Sequence, residues 1–170
     1  MSQPSNPANP DPRPDLRIVR ATSADAHKVA PLFDAYRVFY NQPSNESAAL
    51  EFLRDRIRSN EGVVLMALVR EGARRLEVVG GFTQLYPSFT SVGMARTWIL
   101  NDLYVRPEHR RGGLARALIA EAETFAARTG AVSISLLTAH TNAPARTLYE
   151  SLGWSVDPVY ARDKKALTPL

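Results

Sequence analysis

Residues 101–116 constrain the fold more than any other stretch of the chain. An apolar, strand-like run, Trp98–Val105, gives way to a basic loop with two adjacent glycines, Gly112 and Gly113. The loop opens directly into an amphipathic helix in which Leu114, Leu118, Ile119, Ala122, Phe125 and Ala126 form one face. Arg116, Glu121, Glu123 and Arg128 lie elsewhere on it, and Gly130 supplies the stop. A helix that follows a strand through a tight loop must turn its apolar stripe back onto the sheet, so a layered α/β arrangement is required.

The rest of the chain fits around this junction. Leu16–Ala21 alternates apolar and charged residues as a strand does, and Thr22-Ser23-Ala24-Asp25 is helix-start chemistry. Val29, Leu32, Phe33, Tyr36 and Tyr40 follow at helical spacing; Asn41–Ser44 breaks the chain before a second helix carrying Leu50, Leu53 and Ile57. Val63–Val69 and Leu76–Tyr86, separated by a turn at Gly72, read as a hairpin. Val132–Thr138 is an apolar strand, Asn142–Leu152 a short helix closed by Gly153, and Trp154–Tyr160 a last strand. The expected order is β-α-α-β-β-β-α-β-α-β, a mixed α/β layer without internal repeats. Five of the twelve prolines fall at Pro4, Pro7, Pro10, Pro12 and Pro14, among polar residues. Residues 1–15 are therefore expected to be a disordered tail, residues 16–161 one domain, and residues 162–170 a C-terminal tail.

Composition narrows the chemistry. A chain of 170 residues with 45% hydrophobic content has room for one ordinary core. No apolar stretch approaches the ~20 residues that span a bilayer and the amino terminus has no apolar signal core, so a soluble, cytoplasmic protein without membrane contacts is expected. With no cysteine, disulfides, thiolate zinc sites and a cysteine nucleophile are excluded. His27, His109 and His140 show no metal-ligand spacing, and no metal is expected. Eighteen of the 21 basic residues are arginine, which lifts the pI to 9.7 although the net charge is only +4. No aromatic residues are interleaved with the basic loop as a stacking platform, so nucleic acid is not the expected partner.

Four arginines, Arg106, Arg110, Arg111 and Arg116, lie within eleven residues at the start of the long helix. A helix start carries unpaired N–H groups and the positive end of the helix dipole, and glycine lets an anion come close to the backbone. The loop has neither the Gly-Lys-Ser/Thr of a Walker loop nor the three-glycine spacing of a dinucleotide fingerprint. On these residues alone a phosphate site and a solvated basic turn read equally well.

The spacing Arg110-x-x-Gly113-x-Ala115 between strand and helix resembles the acyl-CoA pyrophosphate loop of the GNAT superfamily of N-acetyltransferases. The resemblance continues through Asn142, which opens a short helix, Tyr149 seven residues later, and the Leu152-Gly153-Trp154 step. It spans residues 16 to 161, and within the superfamily it is closest to small-amine enzymes similar to spermidine/spermine N-acetyltransferases. It implies a single-domain, mixed and mostly antiparallel β-sheet flanked by helices, acetyl-CoA as co-substrate, a small-molecule amine as acceptor, and a homodimer. Two departures stand out: Asn101 occupies the place of a Glu that serves as base in the polyamine enzymes, and Arg111 and Ala115 stand where glycine is usual.

What the resemblance implies mechanistically is direct attack of a primary amine on acetyl-CoA in a ternary complex. Main-chain groups of the Leu103-Tyr104-Val105 segment would pair with the pantetheine arm in the manner of an added strand. Backbone groups across Arg110, Arg111, Gly112, Gly113, Leu114, Ala115 and Arg116 would hold the pyrophosphate, with Asn142 at the acyl end. Tyr149 would protonate the departing thiolate, a nearly matched transfer from a phenol of pKa ~10 to a thiol of about 8.5.

The base is not assigned by the sequence. An amine of pKa ~10.4 is neutral at pH 7 only about once in 2,500, a cost of roughly 4.6 kcal/mol, so some proton acceptor is required. Asp102 should point away from the Asn101 face unless a bulge re-aims it, and His140 lies just past a strand end, where a surface position is the simpler reading. Phe33, Tyr36, Phe39 and Tyr40 are candidates to line the acceptor pocket, with core packing as the competing reading for the first two. Five acids and four arginines between residues 31 and 61 leave no acidic groove for a polycation. Polyamines are thus expected to be poor acceptors and weakly basic amines, such as amino acids, better ones. The competing functions are acetylation of a protein lysine or amino terminus, and a non-catalytic acyl-CoA-binding module.

Overall fold

A computed structural model describes residues 16–72, 74–159 and 163–167. The expected tail at 1–15, the end of the expected last strand and residues 168–170 lie outside the described residues. Five strands form one sheet in the order β1 (Leu16–Arg20), β2 (Val63–Glu71), β3 (Leu76–Thr90), β4 (Ala95–Val105) and β5 (Ser133–Leu136). The first three pairings are antiparallel and β4–β5 is parallel, so the fold is a mixed α/β layer with a mostly antiparallel sheet.

Helices cover both faces. On one side α1 (Ala26–Phe39) and α2 (Glu46–Arg58) bury Val29, Leu32, Phe33 and Leu53 against Val64, Met66 and Phe82. The opposite side takes α3 (Leu114–Arg128), whose Leu118, Ile119 and Ala122 are fully buried. Strand β2 shows this in its sequence: Val63–Ala67 is buried at every position, where a strand with one wet face would alternate. A capping box starts the helical region, with the Thr22 amide and hydroxyl donating to the Asp25 carboxylate at 3.0 and 2.7 Å.

The described chain falls into two compact units. The sheet and α1–α3 make the first, ending at Leu137, and the second runs from Thr138 and contains α4 (Ala143–Glu150).

Several boundaries differ from the sequence reading. Strand β3 continues past Pro87 to Thr90 and β4 begins at Ala95, so these two make a long hairpin with its turn at residues 91–94. Proline is tolerated there because β2 pairs with β3 only as far as Leu85, which leaves one side of the strand without a neighbour. The expected strand Trp154–Tyr160 is not formed over residues 154–159. The Asp157 carboxylate accepts the Val159 N–H at 2.8 Å, a local turn, Pro158 has no N–H to give a ladder, and Val156 and Val159 are exposed. Strand β5 and helix α4 are each shorter than expected, α4 because Asn142 is its cap and not its first residue.

Candidate active site

The site begins with an extra residue. Between β3 and β4 the register passes from Gln84↔Asp102 directly to Leu85↔Leu100, so Asn101 has no opposite number. Before this bulge the even-numbered side chains of β4 face α3: the Trp98 indole packs edge-on against Phe125 and donates to the Thr129 hydroxyl at 2.8 Å. Past it the even-numbered side chains face α1, where Tyr104 meets Tyr36 and Asp102 shares a hydrogen bond with the Tyr36 hydroxyl. The bulge that would re-aim Asp102 is therefore present.

Asp102 lines a cavity of about 480 Å³ between α1, α2 and β4. Phe33, Tyr36 and Tyr40 of α1 and Phe52 of α2 give it aromatic walls, Ala48 and Ala49 keep it open, and Arg37 and Gln42 also line it. Phe33 and Phe52 stack nearly parallel with centroids 5.7 Å apart, and Tyr36 meets Tyr40 edge-on at 5.0 Å. Phe39, one of the expected lining residues, is instead turned out and 62% exposed. Sequence reading missed Phe52, although its spacing of four from Ala48 places both on one helix stripe.

The electrostatics single out Asp102. Its residue is only 7% exposed, and this desolvation raises its carboxyl above the usual range. Hydrogen bonds from the Asn101 amide, at 3.1 Å, and from Tyr36 act in the opposite sense. Burial and the nearby Asp102 charge push the Tyr36 phenol well up, so it stays protonated and donates. The Tyr86 phenol is pushed up to about 12, mainly by burial.

The other buried carboxylate near the cavity is fully employed. Asp34 accepts from the Asn45 amide at 2.8 Å, from the Ser44 hydroxyl and from Arg37 at 2.8 Å, and these bonds hold its carboxyl well below the usual range despite burial. It thereby ties the α1–α2 connection to α1, while the Asn45 side chain caps α2 through the Ala48 amide.

Beyond the bulge the sheet opens. Pairing of β4 with β5 covers only Thr97–Leu100, so the Leu103-Tyr104-Val105 segment has no β5 partner. The Tyr104 ring is committed to the interior, 6.4 Å from Phe82 and 6.3 Å from Tyr36, which leaves its main chain for any ligand role. The Arg110 guanidinium lies 5.9 Å from that ring and donates to the Val105 carbonyl at 3.1 Å.

Helix α3 starts at Leu114 from Gly113, whose φ of 80° is left-handed and which has no side chain to cap the first turn. Arg111 is also left-handed, at φ 62°, and this explains why glycine would be at home there. Ala115 and Arg116 sit in the first turn of α3, and a Cβ on Gly112 would meet the His109 carbonyl at 3.4 Å.

In the second unit, the Asn142 side chain caps α4 by accepting the Ala145 amide at 3.3 Å. Tyr149 lies in the last turn of α4 with its ring 5.9 Å from Trp154, whose amide donates to the Tyr149 carbonyl at 3.1 Å. His140 is exposed in the preceding turn. Among the described residues no cluster of side chains has metal-ligand geometry, and no helix is long and apolar enough to cross a membrane.

The model of the acetyltransferase (GNAT) family matches residues 29–154. An uncharacterized N-acetyltransferase of Bacillus subtilis, YhfO, is 42% identical over 142 residues, covering 84% of this chain and 91% of that protein. A probable acetyltransferase of Haemophilus influenzae is 29% identical over 143 residues, covering 84% and 92%. A crystal structure of a probable acetyltransferase superimposes with a TM-score of 0.82 at 38% identity, over 90% of this chain and 99% of the other.

Proposed function

The chain belongs to the acetyltransferase (GNAT) family, and on that premise we propose that it moves the acetyl group of acetyl-CoA to a primary amine of a small molecule. The observation that carries this reading is Asp102: a buried carboxylate with a raised pKa, in the lining of an aromatic cavity, on the strand whose edge opens at Leu100. A carboxylate whose pKa is raised by burial is a more effective proton acceptor than one at its ordinary value.

The residues present fit acetyl-CoA. The free edge of β4 at Leu103 and Val105 suits an extended amide-bearing arm, and the uncapped first turn of α3, with Gly112, Gly113 and the surrounding arginines, suits a pyrophosphate. When bound, acetyl-CoA supplies a thioester carbonyl to the amine, the C–S bond breaking as the C–N bond forms. Asp102 takes the proton that the ammonium must lose, and Tyr36 and Asn101 hold its carboxylate in place. Tyr149 gives its hydroxyl proton to the departing sulfur, the role its match to the family motif implies. His140, exposed in a turn, is given no part.

Thermal unfolding with added nucleotides tests this. Acetyl-CoA or CoA at about 100 times its dissociation constant should stabilise the protein by about 2.7 kcal/mol, with little response to ATP or NAD. Absence of any shift with either CoA species at millimolar concentration would overturn the reading.

A further inference from the structure

We propose that the cavity between α1, α2 and β4 selects amines that carry a single ammonium on an apolar, preferably aromatic, body, and discriminates against polyamines and other polycations. This rests on the reading of the protein as an acetyltransferase of small amines and concerns which amine it takes.

Charge sets the first limit. Asp102 is the one carboxylate lining the cavity among the described residues. Asp34, close by, already receives Arg37, Ser44 and the Asn45 amide, so it has no capacity left for a second ammonium. Arg37 lines the same cavity, and its pairing with Asp34 at 2.8 Å leaves the two without net negative charge. Asn101, beside Asp102 at the bulge, is neutral. An acceptor with two or more ammonium groups would set one on Asp102 and leave the next in the cavity with no carboxylate to meet it.

The walls set the second. Four rings, of Phe33, Tyr36, Tyr40 and Phe52, surround a volume suited to a small molecule, and two alanines on α2 leave the space unfilled. Phe52 and Tyr40 remain 39% and 46% exposed, so an apolar body entering the cavity covers aromatic surface that the protein leaves in water. Ring faces also attract one ammonium on its way to Asp102. A flexible chain of amines offers little to such walls.

The test is a panel of acceptors assayed for CoA release by the full-length protein with acetyl-CoA at pH 8: 2-phenylethylamine, phenylalanine, n-butylamine, spermidine and an aminoglycoside. At least one of the two aromatic amines should exceed spermidine and the aminoglycoside in kcat/KM by about 30-fold or more. Phe52→Ala, at a part-exposed position that folding should tolerate, should raise KM for the aromatic amine about 10-fold and leave KM for acetyl-CoA unchanged. Preference for spermidine or the aminoglycoside, or an unaltered KM for the aromatic amine in Phe52→Ala, would overturn the proposed selectivity while leaving the acetyltransferase reading intact. So would binding of acetyl-CoA without acetylation of any amine in the panel. No thermal shift with acetyl-CoA would instead remove the premise itself.

Discussion

The Tyr36 hydroxyl on α1 donates to the Asp102 carboxylate on β4, joining two residues that line the aromatic cavity. Replacing Tyr36 by Phe keeps the ring and removes one of the two hydrogen bonds that stabilise ionised Asp102. Hydrogen bonds to charged groups are worth ~1.5–3 kcal/mol, and each pKa unit is about 1.36 kcal/mol. The acidic limb of the kcat/KM profile should therefore move upward by about one to two pH units in Tyr36→Phe. A limb that stays in place would mean that Asp102 is not the group titrating.

Asp102→Asn should lower kcat/KM by about 10²-fold or more, the usual loss for a general base, and remove that acidic limb. Its effect on stability has the opposite sign. Because the folded-state pKa of Asp102 lies above its ordinary 3.8, the native state holds the proton longer than the unfolded state does. Stability from this group falls as pH rises from about 3.8 through the raised value, and at neutral pH the buried charge is a net cost. Asp102→Asn should unfold at a higher temperature than the parent at pH 7, with the gain shrinking below pH 4. Calorimetry at both pH values reads this directly.

Asp34 behaves the other way. Its folded-state pKa lies below 3.8, so its contribution is fully present above that value and is lost as pH falls through the depressed one. Asp34→Ala removes the acceptor for Asn45, Ser44 and Arg37 together and should cost about 3 kcal/mol or more at pH 7. Urea titration of the variant should show this loss at pH 7 and a smaller one near pH 2.

Arg111 tests the proposed phosphate loop. Its left-handed backbone costs a non-glycine residue roughly 1–2 kcal/mol, partly offset by the entropy that glycine loses on folding. Arg111→Gly should match or slightly exceed the parent in Tm, whereas Arg111→Val should fall below it. If the guanidinium meets a phosphate of the co-substrate, KM for acetyl-CoA should rise in both variants, and by less at high salt.

Tyr149→Phe keeps the ring beside Trp154 and deletes the proposed proton donor. Turnover should drop ~10²-fold while the thermal shift with CoA is retained. A variant that turns over like the parent would make Tyr149 a packing residue of α4.

The sequence made the sheet, the four helices and the basic loop legible because each carries a strong local signal: a period of two, a period near 3.6, or glycine at a sharp turn. Asp102 was less so. Its facing depends on whether β4 holds an extra residue, and no residue type in Leu100-Asn101-Asp102 announces a bulge. Phe52 escaped for a different reason: α2 is rich in charge, and a lone ring in it carries no local signal of a pocket until α1 stands beside it. The absent last strand reflects the weakness of short apolar stretches as a signal: Trp154–Val159 alternates well enough, but a strand exists only where another strand pairs with it.

The bulge at Asn101 also sets what kinds of genetic change the site can absorb. A substitution at that position alters a side chain and leaves the count of residues intact, so Asp102 still faces α1. Deleting Asn101 would place Asp102 directly after Leu100 in plain alternation, still opposite Gln84 and still on the α1 side, but without the amide that donates to its carboxylate. The facing of Asp102 thus survives both kinds of change at this position: what the extra residue contributes is a donor beside the carboxylate, on a strand one residue longer than its ladder requires.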